Sequence, residues 1–186
     1  MEILKELSNQ VFDIIHLTKD VDLSSFSVQK GYGLELYLKE YALRDEVNHD
    51  ARTYLIVTTD TKELASYFTL RTGLITVSRG FLKGFDAYTG IELANFAVNS
   101  SYKEAHDMIP KLGSYIFSEF ILPLIKYIGL YIGAAYLYIY ALPEDRLMKH
   151  YKTMGFRYMS RQESKFIYRH VKPVYDQSCV FMYQKI

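Results

Sequence analysis

Apolar and polar positions alternate most clearly in the middle of the chain. Thr53 to Thr59 is rich in β-branched residues and Leu64 to Val77 alternates with a period of two, so both predict strands. Thr59-Asp60-Thr61-Lys62 between them has turn chemistry. Together these segments predict an antiparallel hairpin, with Gly73 as a bulge or bend in its second arm. Ser78 to Gly90 holds three glycines and reads as a loop, and Ile91 to Val98 reads as another apolar strand. Asn99 to Lys111 is polar.

Elsewhere the period lengthens. Leu34, Leu38 and Tyr41 or Ala42 share one face of a helix over Leu34 to Leu43, with Gly31 and Gly33 marking the turn before it. Leu112, Ile116, Phe120, Leu124 and Tyr127 predict a helix from about Lys111 to Tyr127, in which Pro123 predicts a kink. Ala135 to Ala141 is a strongly apolar strand. Pro143 then opens a helix in its first turn, with Glu144 and Asp145 near the positive end of the dipole and Gly155 as its C-terminal stop. Strands near Phe156 to Met159 and Ser178 to Gln184 close the chain. Val11 to Leu17 suits a strand or a helix end equally well. This order predicts an α/β (α+β) fold, a mixed and mostly antiparallel sheet flanked by helices, in a single domain over residues 1–186.

Composition narrows the class. With 186 residues, 49% hydrophobic and 23% charged, the chain suits a globular domain with a full-sized core. A net charge of +1 gives no global pull toward a polyanion. The single cysteine, Cys179, excludes an intramolecular disulfide and reads as a buried strand thiol. The first residues lack the basic and long apolar regions of a signal peptide, so the expected location is the cytoplasm. Tyr127 to Pro143 is uncharged, yet Gly129, Gly133 and several tyrosines interrupt it, and a core helix followed by a buried strand explains it better than a membrane span. Eighteen tyrosines and no tryptophan are the unusual feature: each ring fills a core or cleft and keeps a hydroxyl to spend.

Several chemistries find no support. The five histidines have no zinc-ligand spacing, so no metal is expected. Walker-A and Gly-x-Ser-x-Gly sequences are absent. The stretch Arg146 to Lys172 is basic: Arg146, Lys149, Lys152, Arg157, Arg161, Lys165, Arg169 and Lys172 face only Glu163. It reads as a solvated face, or as a contact for cofactor phosphates or RNA.

Two runs carry a resemblance. One is Leu137-Tyr138-Ile139-Tyr140-Ala141 followed by Leu147-Met148-Lys149-His150-Tyr151-Lys152-Thr153-Met154-Gly155-Phe156; the other is Glu92-Leu93-Ala94-Asn95-Phe96-Ala97-Val98. Their order and spacing resemble the GNAT N-acetyltransferase superfamily from about Arg52 to Ile186, with His150 at the place of a usual aromatic. The family's loop after the central strand commonly reads Arg/Gln-x-x-Gly-x-Gly/Ala, and its counterpart here is Met108-Ile109-Pro110-Lys111-Leu112-Gly113. Only Gly113 is kept. Pro110 lacks a donor, and Lys111 stands where a glycine is expected.

The resemblance implies acetyl transfer from acetyl-coenzyme A to an amine by direct attack in a ternary complex. It implies Glu92 as general base and Tyr151 as general acid. Lys111, Leu112, Gly113 and Ser114 would hold the pyrophosphate at a helix N-terminus. The backbone of Phe96, Ala97 and Val98 would pair with the pantetheine arm. Tyr67, Phe68 and Thr69, with Asn95, would line the acceptor site. Each assignment has a plainer alternative: a paired carboxylate for Glu92, packing for Tyr151, a cross-strand bond for Asn95, and for the Pro110 helix a terminus that binds nothing. The segment Tyr54 to Leu70 also resembles GNAT toxins that act on aminoacyl-tRNA, which adds an RNA-linked acceptor to small and protein amines. A non-catalytic GNAT-like binding module is the rival function, and a homodimer is left open.

Overall fold

The computed structural model describes residues 2–78, 84–106, 110–159, 163–165, 167 and 178–186. Seven strands form one sheet in the order β1-β2-β3-β4-β5-β7-β6. They are β1 Phe12–His16, β2 Arg52–Thr58, β3 Leu64–Ser78, β4 Phe85–Val98, β5 Tyr136–Ala141, β6 Arg157–Tyr158 and β7 Val180–Lys185. The β1/β2, β2/β3, β5/β7 and β6/β7 pairs are antiparallel, and β4/β5 is parallel. The α+β class and the mixed, mostly antiparallel sheet are therefore as the pattern of strands and helices predicts.

The chain divides into two compact units: Met1–Arg71 with Leu93–Leu124, and Thr72–Glu92 with Ile125–Ile186. The first unit holds β1, β2, the start of β3 and the end of β4. Its helices are α1 Glu2–Leu7, α2 Tyr32–Leu36, α3 Ala42–Val47, α4 Ser100–Ala105 and α5 Leu112–Ile116. Its core gathers Leu17, Phe26, Leu38, Leu55, Val57, Leu64 and Tyr67. A π-helical turn, Tyr37–Tyr41, joins α2 to α3, and a second, Phe117–Ile121, joins α5 to α6 at Leu122–Ile132. The second unit holds α6 past Leu124, β5, α7 Asp145–Thr153, β6 and β7. Its core gathers Ile75, Tyr138, Ile167 and Phe181.

Of the two readings open for Val11 to Leu17, the strand holds, over Phe12–His16, because Phe12 and Ile14 alternate inward against β2. Other expectations are corrected. Ser78 to Gly90 is mostly strand: β3 runs to Ser78 and β4 starts at Phe85, with residues 79–83 outside those described. Gly90 misled the reading because a strand glycine usually marks a break. Here it makes room for a ring, since a Cβ at Gly90 would lie 3.1 Å from Tyr138 Cδ1. The polar Asn99 to Lys111 segment contains α4, capped by the Asn99 side chain accepting from the Ser101 amide. Pro143 lies before the helix it was expected to open: Glu144 is the N-cap and Asp145 the first helical residue.

The long helix extends to Ile132, and its proline is absorbed locally. Pro123 lacks an N–H and crowds the carbonyl four residues back. The π turn ends just ahead of it, with the Leu122 N–H donating to Phe117 O. Leu112–Ile132 spans 21 residues and is long and apolar enough to cross a membrane by length and composition. Ile116, Phe117, Phe120, Ile121, Leu124 and Ile125 are nevertheless all buried, as on a core helix.

Candidate active site

In the first unit, the end of β4 and the start of the long helix come together. A Cβ on Gly113 would stand 3.6 Å from Val98 Cγ2 and 3.9 Å from Phe96 Cζ. The helix start therefore lies against the expected pantetheine strand, in ordinary van der Waals contact. The Ala97 carbonyl is already used, accepting from Ser66 Oγ at 2.8 Å. Asn99 fixes the strand's exit. Its Oδ1 accepts from the Ser27 and Ser101 amides at 3.1 and 3.2 Å, and its Nδ2 donates to Leu64 O at 2.7 Å. The Asn-Ser-Ser run carried the cap signal for this residue.

Lys111 is the N-cap of α5 and sits in the left-handed region at φ 59° and ψ 44°. That conformation costs a non-glycine residue about 1–2 kcal/mol. The backbone here thus adopts the glycine-favoured shape that the family pattern requires, although the residue is lysine. The first helical bonds run from the Ser114 and Tyr115 amides to Lys111 O, at 2.8 and 3.1 Å. The amides of Leu112 and Gly113 precede them and stand at the positive end of the dipole. Lys111 is exposed and makes no side-chain cap. These groups fit a pyrophosphate: two amides with no partner among the described residues, a cation and no Cβ at the close approach. Met108 and Ile109 lie outside the described residues.

In the second unit, β4 pairs with β5 over three residues, Gly90 with Tyr136, Ile91 with Leu137 and Glu92 with Tyr138. Tyr138 pairs with Tyr183 on β7, which pairs with Arg157 on β6. Laterally paired residues share a sheet face. Glu92 therefore stands on the face that carries Tyr138, Tyr183 and Arg157, and it is only 1% exposed. The Tyr138 ring lies over Gly90 and Gly73: its hydroxyl reaches Gly73, where a Cβ would be 1.8 Å away, and Phe181 stacks on the ring at 5.5 Å.

Helix α7 belongs to the opposite face, because Gly155 at its end abuts Gln184, the neighbour of Tyr183 along β7. The helix stops in a Schellman turn. Gly155 has φ 92°, its amide donates to Lys152 O, and the Phe156 amide donates to Tyr151 O. The hydrophobic contact that completes such a turn is Phe156 against Tyr151, with rings 5.6 Å apart and edge-on. The Tyr-x-x-x-Gly-Phe spacing is thus the spacing of a helix stop, and the ring of Tyr151 is held by it. The hydroxyl is surplus to that role. Among the described residues no group hydrogen-bonds it, and burial pushes its pKa up to about 12. It stays protonated at working pH, as a general acid must. The His150 carbonyl accepts from the Met154 amide and from Thr153 Oγ1.

The other expected site residues divide sharply. Tyr67, Phe68 and Thr69 have no exposed surface. The Tyr67 hydroxyl donates to Leu34 O at 2.6 Å, Phe68 stacks on Tyr54 at 5.1 Å, and Thr69 Oγ1 bonds Thr53 Oγ1 at 3.0 Å. Their side chains are spent inside the first unit and offer no lining surface in this state. Asn95 is half-buried. Sequence reasoning missed two charged clusters in the first unit. Asp45, buried, binds Arg71 Nη2 at 2.8 Å and accepts from Tyr37 at 3.1 Å. Glu46 binds Arg52 at 3.0 Å and faces His16, whose pKa is lowered chiefly by burial. Of the basic stretch, Arg146, Lys149, Lys152, Arg157 and Lys165 are exposed; Arg161, Arg169 and Lys172 lie outside the described residues. Among the described residues no group of His, Cys, Asp and Glu is arranged to hold a metal.

Comparison with solved structures decides the fold. The AtaTR complex bound with AcCoA matches at TM-score 0.69 and 18% identity, covering 94% of each chain. It is a GNAT fold. AtaT complexed with acetyl-methionyl-tRNAfMet matches this chain at TM-score 0.66 and 17% identity, again over 94% of both. A Tyr-to-Phe mutant of KacT matches at TM-score 0.67 and 16% identity, over 95% of both. No family model matches the sequence, and neither does any curated protein. The fold is thus shared with these structures at 16 to 18% sequence identity.

Proposed function

We propose that this chain is an acetyl-coenzyme A-dependent N-acetyltransferase. The observation that carries the reading is the seat of Gly113 on Val98 and Phe96, at the start of a long helix whose Leu112 and Gly113 amides precede its first bonds. The backbone of Phe96, Ala97 and Val98 would take the pantetheine arm. Support comes from the β4/β5 pairing, which ends at Glu92 and leaves the last residues of β4 unspent on β5. The Leu112 and Gly113 amides, with Ser114 and the Lys111 ammonium, would hold the pyrophosphate.

Glu92 would accept a proton from the acceptor ammonium, directly or through water, so that the neutral amine attacks the thioester carbon. A C–N bond forms as the C–S bond breaks. Tyr151 would give its proton to the departing thiolate, and its raised pKa keeps that proton available. Asn95 remains the candidate polar contact for the acceptor, being half-buried where Tyr67, Phe68 and Thr69 are closed. An aminoacyl group carried on RNA is the acceptor we favour over a small amine, because the exposed cations of α7 and β6 would meet a polyanionic carrier. A neighbour of this fold is also solved with an acetylated aminoacyl-tRNA.

Turnover against pH tests the division of labour. Tyr151→Phe keeps the ring that closes the Schellman turn and should lower the rate at saturation by about 10²-fold at every pH. Glu92→Gln should show a defect that shrinks as pH rises and more acceptor is already neutral. Equal losses at all pH values would refute these roles.

A further inference from the structure

The second unit carries a tyrosine ladder that acyl transfer does not use. Tyr88 on β4, Tyr136 on β5 and Tyr183 on β7 stand side by side on the sheet face that also carries Glu92. Their rings meet edge-on, 5.7 Å apart between Tyr88 and Tyr136 and 6.1 Å between Tyr136 and Tyr183. Tyr88 is 42% exposed and the other two are half-buried. Cations flank them in register. Lys185 pairs with Tyr136, Arg157 pairs with Tyr183, and both are exposed. Asp86, two residues from Tyr88 along β4, is the acid on that side.

An apolar protein-docking face would be built from aliphatic side chains. This one is built of aromatic rings that pack one side on Tyr138 and Phe181 and carry hydroxyls, with positive charge beside them, which suits unpaired bases on a phosphate backbone. We propose that the Tyr88–Tyr136–Tyr183 ladder, with Arg157 and Lys185, is a stacking platform for single-stranded RNA. It builds on the acyl-transfer reading only in supplying a carrier for the acceptor amine; the binding itself needs no acyl donor.

The test is fluorescence anisotropy with an unstructured 12-nucleotide RNA, titrated across salt, with the same DNA sequence as a second arm. Tyr183→Ala should weaken binding by about tenfold or more, the scale of one lost stack. Tyr183→Phe keeps the π-face and should change it less than threefold. The double variant Arg157→Ala/Lys185→Ala should lower the slope of log affinity against log salt by about 1.4. Tyr88→Ala, at the exposed end of the ladder, should also weaken binding while leaving the circular dichroism spectrum unchanged. DNA should bind through the same residues, since stacking does not read the sugar. Unchanged RNA affinity in both alanine variants overturns the proposal. So does a Tyr183→Ala effect confined to sedimentation, which would give the face to a second copy of the chain. The acetyl-coenzyme A thermal shift, measured on the same variants, separates this outcome from failure of the acyl-transfer reading.

Discussion

Gly73 and Tyr138 interlock tightly enough to yield a quantitative double-mutant cycle. A Cβ at Gly73 would sit 1.8 Å from the Tyr138 hydroxyl oxygen and 3.0 Å from Cζ. Carbon and oxygen need about 3.3 Å or more without a hydrogen bond, so Gly73→Ala demands a ring movement of roughly 1.5 Å. The ring has nowhere to go. It is 2% exposed, it has Phe181 stacked on it, and it runs so close to Gly90 that a Cβ there would lie 3.1 Å from Cδ1. Overpacking of this kind costs about 1–3 kcal/mol, and partial expulsion of the ring adds about 1–2 kcal/mol of lost burial. Gly73→Ala should therefore destabilise by about 3–4 kcal/mol. Tyr138→Phe deletes the clashing atom and alone should cost about 1 kcal/mol. In that background the nearest ring atom is Cζ at 3.0 Å, which a shift of a few tenths of an ångström relieves. Adding Gly73→Ala there should cost about 1 kcal/mol. The coupling between the two changes is then about 2–3 kcal/mol, well above the ~0.5 kcal/mol scatter of independent sites. Urea denaturation of the four proteins, followed by circular dichroism, measures it. Additive free energies would refute the packing described for Tyr138 against Gly73.

Other outcomes follow from single contacts. Gly113→Ala places its Cβ in ordinary contact with Val98 and Phe96 and removes a helix glycine, so it should raise stability by about 0.5–1 kcal/mol while weakening acetyl-coenzyme A binding; Gly113→Val should weaken binding further with the fold intact by circular dichroism. Tyr67→Phe removes the bond to Leu34 O and should cost about 1–2 kcal/mol in urea unfolding without changing coenzyme affinity. His16 has a folded pKa below its unfolded value, so the unfolded state binds more protons as pH falls. The melting temperature should therefore drop between pH 7 and pH 5, and drop less in His16→Gln.

What the sequence disclosed and what it concealed have physical causes. The hairpin, the central strand and the Gly155 stop were readable because each depends on local terms: alternation, turn residues and a residue at positive φ. Gly90 was misjudged, and the role of Gly73 in making room for a ring went unseen, because their partner is Tyr138, dozens of residues away in sequence and adjacent only through the sheet. The first fifty residues were obscure for a related reason. Their helices are short or broken by a π turn, and they are held by remote contacts such as Tyr67 to Leu34 and Arg71 to Asp45. The candidate site was legible only through motifs. Glu92 and Tyr151 stood out by motif, and the structure adds that they lie on opposite faces of the β4-β5-β7 sheet. The degenerate loop looked like a loss in sequence, yet the backbone at Lys111 keeps the left-handed turn that glycine would favour.

The central claim is that a coenzyme thioester binds at this helix start. Thermal unfolding of the wild-type chain with and without acetyl-coenzyme A tests it most directly. At 100-fold its dissociation constant the ligand should stabilise the fold by about 2.7 kcal/mol, raising the melting temperature by several degrees, and Gly113→Val should lose most of that shift. A wild-type melting temperature unmoved by millimolar acetyl-coenzyme A would contradict the account.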